Sequence, residues 1–358
     1  MSLNLQATIK ALQNNQIEEA KLSFQKFNNR WFDVLVTIRV YSKDSFRQIE
    51  EDLSEVERLL LRTDNPVSGE ILPKVTSLQK EFNNVIARVS TTNPNGASSA
   101  SSSPLTSAEV ETLSAKIREY LREKTDSVVK TSQQLQAVIK SRDMEKTKVS
   151  YEAARYQFEQ VEFLVQAFKD FNIALDGRPE DMVLGENDPH WTGFHPLEKA
   201  IYQDGRLDDH TDQLATQLVE DAKAFQAEID VRKLMIGPAS ALNGAASLIE
   251  EILVNKITGE EERYSHTDLN DFRANLSSAR QLYEMFKPYV QKKNLVLDTE
   301  IQDRFNAVEK SISPFFDYNS RPINYNLVDT STRRDLAQKV ENLADSFSRL
   351  PGTLGLKN

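Results

Sequence analysis

The residues best suited to chemistry stand in the run Gly193-Phe194-His195-Pro196-Leu197-Glu198. On a helix, residues three apart share a face, so His195 and Glu198 can direct an imidazole nitrogen and a carboxylate toward one point. That pair is half of a metal site or, read more plainly, a histidine and a glutamate on a solvated helix. Pro196 is tolerated if the helix starts near Thr192, which puts the proline in the first turn. A second pair at the same spacing, Glu159 and Glu162, is set among Phe158, Val161, Phe163 and Leu164. Those neighbours turn at least one carboxylate inward, where it needs a metal or a cationic partner. Arg155, one turn away, would supply a plain salt bridge. In the run from Glu260 to Asp268, ahead of another helix, Glu261, Tyr264 and His266 are the unusual members, while Ser265 and Asp268 read as a helix cap. In the turn Leu175-Asp176-Gly177-Arg178-Pro179-Glu180-Asp181, Asp176 and Arg178 can pair.

Other chemistries are excluded by what is missing. There is no cysteine, which removes disulfides, thiol nucleophiles, iron–sulfur clusters and thiolate zinc sites, so any metal is held by oxygen and imidazole. A helical zinc peptidase needs a second histidine four residues on, and Lys199 occupies that place after His195. No nucleophile elbow or phosphate-cradling loop occurs, and His190, His195, His210 and His266 give few options for a general base. The expectation is therefore a binding protein, not an enzyme. A net charge of −10 argues against a nucleic-acid surface and is compatible with collecting cations. No apolar run approaches the roughly 18 residues needed to span a bilayer. The start, MSLNLQATIKALQNN, shows no export leader, so the chain is expected to be cytosolic or to have had its leader trimmed. The lack of cysteine leans toward the extracytoplasmic choice.

The elements that must position these residues read as all-α. Apolar residues recur at three-to-four spacing, as in Val110, Leu113, Ile117 and Leu121, without sustained alternation. Thr106 and Glu109 form a capping box, Pro238 suits a first turn, and Pro288 and Pro351-Gly352 read as stops. Helices are expected near 3–14, 17–42, 44–63 and 68–89, then near 107–141, 144–175, 193–203, 208–235, 238–256, 265–290, 296–312 and 330–349. Between them, residues 91–106 are Ser-rich and read as a linker, giving an N-terminal helical module of residues 1–90 and a larger unit of residues 107–358. A faint internal repeat crosses the linker: Lys21 to Phe24 matches Lys148 to Tyr151, Trp31 falls opposite Phe158, and Phe32 and Leu35 stand where Glu159 and Glu162 would be.

Four segments in order make residues 107–358 resemble the imelysin-like domain of EfeO and EfeM, the extracytoplasmic binding components of bacterial iron-uptake systems. Arg155 to Glu162 resembles the family's Arg-x-x-Tyr-Glu-x-Ile-Glu. Asp176 to Asp181 is similar to its Asp-x-Arg-x-Asp turn, and Trp191 to Glu198 contains its Gly-x-His-x-x-Glu. Glu260 to Phe272 is close to its Gly-Glu-Glu-Asp-Arg-Tyr-Ser-His-Thr-Asp-Leu-Trp-Asp-Phe run. Phe158, Pro196 and Asn270 depart from the tyrosine, arginine and tryptophan seen there, which alters the polarity expected around the site. The copper-binding cupredoxin domain of classical EfeO is replaced by helices here. Arg30 to Leu60, with Ser42, Phe46, Ile49 and Glu50, instead resembles a helical segment attached to some iron permeases.

The resemblance implies a bilobal pair of helical bundles, here preceded by an extra N-terminal bundle, with polar residues converging between the lobes. It implies a metal site of His195, Glu198, Glu159 and Glu261, joined by Glu162 and Asp176. The expected ion is iron, ferric or ferrous, with zinc or copper able to enter in vitro, and the expected partner is the iron permease of the same system. Two rivals stay open: a metallopeptidase, after which imelysin was named, and a binder of acidic polysaccharide or of a protein partner.

Overall fold

A computed structural model describes residues 1–28, 31, 38, 42–61, 63, 65–91, 104–165, 169–231 and 237–356. Among them the regular structure is helical, apart from one isolated bridge between Phe316 and Pro322. The all-α expectation therefore holds. No helix among the described residues is long and apolar enough to cross a membrane. The chain divides into two compact units, residues 1–101 and 102–357. Most of the Ser-rich stretch read as a linker lies outside the described residues.

The first unit contains helices Ser2–Gln13, Ile17–Asn28, Lys43–Leu60 and Ser68–Thr91. Their apolar faces bury Leu5, Leu12, Phe24, Phe27, Val56 and Val75, and Phe27 meets Phe82 edge-on with ring centroids 5.3 Å apart. Ser42 opens the third helix by accepting the Ser45 N–H on its side chain, which satisfies one of the free donors of a helix start. The helix expected over 17–42 is described as far as Asn28. Phe32 and Leu35 of the internal repeat lie outside the described residues.

The second unit is built on the long helix Ser107–Lys140, opened by the reciprocal bonds of Thr106 and Glu109. It packs against helices Met144–Glu159 and Asp209–Val231, burying Leu113, Ile117, Val128 and Leu135. A second group comprises helices Pro238–Glu251, Asp268–Lys293, Leu295–Ile312 and Thr330–Ser348, with Tyr283, Phe305 and Phe347 meeting at tilted and edge-on angles in their core. Helix Asp268–Lys293 also lies along Met144–Glu159, so it ties the two groups together.

That contact explains why the helix expected over 144–175 is interrupted. The last carbonyls of a helix have no partner within it. Here Asn275 Nδ2 donates to Glu159 O at 3.0 Å, and Ser278 Oγ donates to Gln160 O at 2.7 Å. The chain can thus leave the helix at Glu159 inside the protein and resume as Glu162–Val165 and Lys169–Asp176.

Two further expectations, the stop at Pro288 and the cap at Ser265, are corrected. Pro288 does not stop its helix, which runs to Lys293, because the completely buried Phe286 and Val290 hold the helix on both sides of the proline. The helix before Pro351 ends at Ser348, as the expected stop requires, and Pro351 then sits in the first turn of a short helix, Leu350–Leu354, where a missing N–H costs nothing. Ser265 does not cap Asp268; its hydroxyl donates to Glu262 Oε2 at 2.9 Å. The stretches expected as the ends of two helices, Lys199–Gln203 and Ile252–Lys256, are π-helical. Such widened turns are frequent at functional sites, and both adjoin the residues described next.

Candidate metal centre

His195 reaches the interior because of the glycine before it. Gly193 has φ 94°, and a Cβ there would lie 2.4 Å from Leu175 O. Only glycine lets the chain pass this close to the end of helix Lys169–Asp176 and then start helix Phe194–Glu198, with Pro196 in its first turn as expected. The imidazole is thereby set beside Asp176.

Glu198 fixes the ring. Its Oε1 accepts the backbone N–H groups of Tyr264 at 2.9 Å and Ser265 at 2.8 Å, while Oε2 lies 3.5 Å from His195 Nδ1. On the other side of the ring, Nε2 lies 3.4 Å from Asp176 Oδ1. That approach lacks hydrogen-bond geometry, and Nε2 is buried without a hydrogen-bond partner among the described residues.

Among the described residues two groups of side chains could each surround one ion: Asp176, His195 and Glu261, and His195, Glu198 and Glu262. In each, the ligand atoms lie within 4.8 Å of one another. An ion bound at about 2.0–2.2 Å separates opposite ligands by about 4.4 Å, so only a small contraction would close either group on a cation.

The surrounding charges are densely paired. Arg155 is buried and meets four carboxylates: Nη1 donates to Asp176, Nη2 lies 2.8 Å from both Glu159 Oε1 and Glu261 Oε1, and Nε lies 2.9 Å from Glu262 Oε1. Its guanidinium sits over the rings of Phe158 and Phe194, so the phenylalanine at 158, in place of the tyrosine of the resembled motif, offers a cation–π face. Arg178 donates to Glu261, and so does not pair with Asp176 as its position in the turn suggested.

A second buried cation faces Glu162 and the other oxygen of Glu159. Lys256 Nζ, fully buried, donates to Glu159 Oε2 at 2.6 Å and to Glu162 Oε2 at 3.1 Å, and Asn275 Nδ2 donates to Glu159 Oε2 at 3.1 Å. The structure therefore brings together His195, Glu198, Asp176 and Glu261 of the expected ligands. It places Glu159, reached through Arg155, and Glu162, reached through Lys256, one step further away, in neither group. Tyr264 donates its hydroxyl to Glu186, and His266 is in a left-handed turn with φ 57°; neither joins the cluster.

Sequence reasoning missed Glu262, Lys256, Asp271 and Asn275. A signal existed for the last two. They are four apart on a helix whose neighbours Phe272 and Leu276 are buried, so both polar side chains fall on an inward face. Asp271 is fully buried and both its oxygens lack a hydrogen-bond partner among the described residues.

Buried charge on this scale shifts protons. Burial would lower the pKa of His195, but Asp176 and Glu198 outweigh it and raise it to about 9. Burial, aided by the Glu198 charge, pushes Glu262 up to about 8, and burial pushes Asp268 up to about 7. Burial with Glu159 and Glu262 raises Asp271 well above the carboxylate range. For Asp176, burial is overcome by Arg155 and His195, and its pKa is lowered. For Glu261, burial is overcome by Lys256 and Arg178, with the same result. The two carboxylates on the Nε2 side are thus held ionised, while the Glu262 side carries protons.

A profile of the imelysin family matches residues 113–350, most of the second unit. An EfeM/EfeO family lipoprotein of Staphylococcus haemolyticus is 35% identical over 243 residues, covering 68% of this chain and 84% of the relative. One from Staphylococcus aureus is 34% identical over 243 residues, covering 68% and 85%. Among solved structures, a chain from Parabacteroides distasonis, described as an iron-regulated protein A precursor, superposes with a TM-score of 0.56 at 14% identity. It covers 74% of this chain and 100% of its own, a likeness of fold.

Proposed function

This chain belongs to the imelysin family, with the EfeM/EfeO lipoproteins, and from that premise we propose that it is the extracytoplasmic iron-binding component of an Efe-type uptake system. The iron, ferric or ferrous, is its cargo. In this reading His195 Nε2, Asp176 and Glu261 are the ligands, and Glu198 orients the ring through Nδ1. The observation that carries the reading is the buried Nε2, free of any hydrogen-bond partner among the described residues, beside two carboxylates held ionised.

A metal-binding histidine usually gives its other ring nitrogen to a carboxylate that sets tautomer and orientation. Glu198, anchored by two backbone N–H groups, is built for that task. Carboxylates with one imidazole suit a hard or borderline cation. Zinc or copper would enter the same place in vitro, since the bare affinity of a nitrogen and oxygen site for divalent ions does not favour ferrous iron over them.

Binding and release, not hydrolysis, is the activity assigned. A helical zinc peptidase takes a second histidine four residues after the first, and Lys199 stands there, with its ammonium donating to Asp204. The relatives' designation as lipoproteins supports a place outside the cytoplasm, and the receiving partner in this reading is the iron permease of the same system.

Calorimetric titration of metal-stripped protein with ferrous iron under anaerobic conditions tests the reading. One ion per chain should bind, and binding should be lost in His195→Ala. Equal affinity in that variant would overturn it.

A further inference from the structure

A cavity of about 440 Å³ opens on the second unit between helices Met144–Glu159, Asp268–Lys293 and Leu295–Ile312. None of its lining residues belongs to the metal centre. Leu276 and Ile312 give it an apolar floor, and Tyr156, Arg273, Arg280 and Phe316 line it. Its volume is in the range of small-molecule sites, roughly 300–1,000 Å³.

Arg273 and Arg280 lie two turns apart on one helix, so they project from the same face. Each is held in place. Arg273 lies over the rings of Tyr156 and Phe316, 5.4 and 4.3 Å from their centroids, and its two amino groups donate to Ser320 O and Asn270 Oδ1. Arg280 donates to Glu309 Oε2 and Asn306 Oδ1 and lies over Phe305. A guanidinium carries five N–H groups, so these partners leave donors uncommitted on both. The Tyr156 hydroxyl has no hydrogen-bond partner among the described residues.

The lining thus sets two guanidiniums against one carboxylate, Glu309, in a protein whose net charge is −10. Burial lowers the Arg273 pKa from its ordinary value. A cation kept away from water in this way gains from an anion placed against it.

We propose that this cavity binds a small organic monoanion: a carboxylate on a flat apolar body, with the charge toward Arg273 and Arg280 and the body on Leu276 and Ile312. Neither half of the ligand suffices alone. The guanidiniums select the charge and the floor selects the apolar frame.

The test is calorimetric titration of the full chain with 1-naphthoate, 1-naphthylmethanol, 1-naphthylmethylamine and glucuronate. Saturable one-site binding is expected for 1-naphthoate, with the neutral and cationic probes weaker by at least about tenfold, the loss expected when a bond to a charged group is removed, and glucuronate, which keeps the charge, weaker by a similar factor for want of an apolar body to bury. Arg280→Met should weaken 1-naphthoate by a similar factor. Ser277→Trp, which fills the cavity and keeps both charges, should abolish binding while the thermal melt and iron titration stay as in the unaltered chain. Absence of 1-naphthoate binding, equal binding of the four probes, or full binding in Ser277→Trp would each overturn the proposal.

Discussion

Lys256 Nζ donates to Glu159 Oε2 across 2.6 Å, and neither side chain is exposed to solvent. The ammonium also serves Glu162, so it partners both members of a carboxylate pair whose spacing suggested metal ligands. Removing one partner of a buried ion pair costs roughly 3–5 kcal/mol, because a desolvated charge is left alone. Lys256→Met should lower the stability of the second unit by that order in urea unfolding, and adding Glu159→Gln should restore part of the loss. A single variant that unfolds at the same urea concentration as the original chain would show that the pair contributes little.

Ligands, orienter and bystander should separate in a graded series of iron titrations. Asp176→Asn removes a ligand and should weaken binding by about 100-fold or more. Glu198→Gln disturbs the ring through its other nitrogen and should cost about 10–100-fold, as outer-shell carboxylates do. Glu159→Gln should cost less than about tenfold, because its oxygens face Lys256, Asn275 and Arg155. A larger loss in Glu159→Gln than in Asp176→Asn would return Glu159 to the ligand set.

The pH dependence has a definite sign. His195, Glu262 and Asp268 have pKa values raised to about 9, 8 and 7, against unfolded values near 6.5, 4.3 and 3.9. Between the two values each group holds a proton in the folded chain that the unfolded chain releases. Stability of the metal-free protein should therefore fall as pH rises from about 6 to 9. The His195 contribution is complete below about 6.5 and lost as pH passes about 9. Asp176 and Glu261, with lowered pKa values, act in the opposite direction under acid, losing their contribution as pH falls through the carboxylate range. Urea midpoints at pH 6, 7.5 and 9 check the trend. A ligand must be deprotonated, so iron binding at pH 7.5 should release the His195 proton, visible as a heat that varies with the ionisation enthalpy of the buffer. A heat independent of buffer would contradict this.

Gly193→Ala should damage both fold and site. The left-handed φ of 94° and the 2.4 Å approach of a Cβ to Leu175 O leave no room for a methyl group. Strain of this kind costs about 1–3 kcal/mol. Relief by backbone shift would carry His195 away from Asp176, so iron affinity should fall along with the melting temperature. Unchanged affinity would mean that the 193–195 backbone does not position the ring.

The helical framework was legible because burial follows the apolar period: Leu113, Ile117 and Leu121 are all inside. The interruption after Glu159 was not, because it depends on Asn275 and Ser278 arriving from a helix more than a hundred residues away. His195 and Glu198 were readable as a pair from spacing alone. Glu262 was not, since nothing local says that a second of the three consecutive glutamates turns inward beside Glu261, and its place is set by Arg155 Nε and the Ser265 hydroxyl. Lys256 was missed for a related reason. In the run Ile-Leu-Val-Asn-Lys-Ile a lysine reads as one whose stem lies on an apolar surface and whose head reaches water. Here the π-helical turn carries that head to two buried glutamates instead.

The central claim is that the cargo ion sits on the Nε2 side of His195. Anomalous diffraction at the iron edge, on crystals grown from iron-loaded protein, locates it directly. The account predicts one peak about 2.0–2.2 Å from His195 Nε2 and in contact with Asp176 and Glu261. A peak between Nδ1, Glu198 and Glu262, or one beside Glu159 and Glu162, would contradict it.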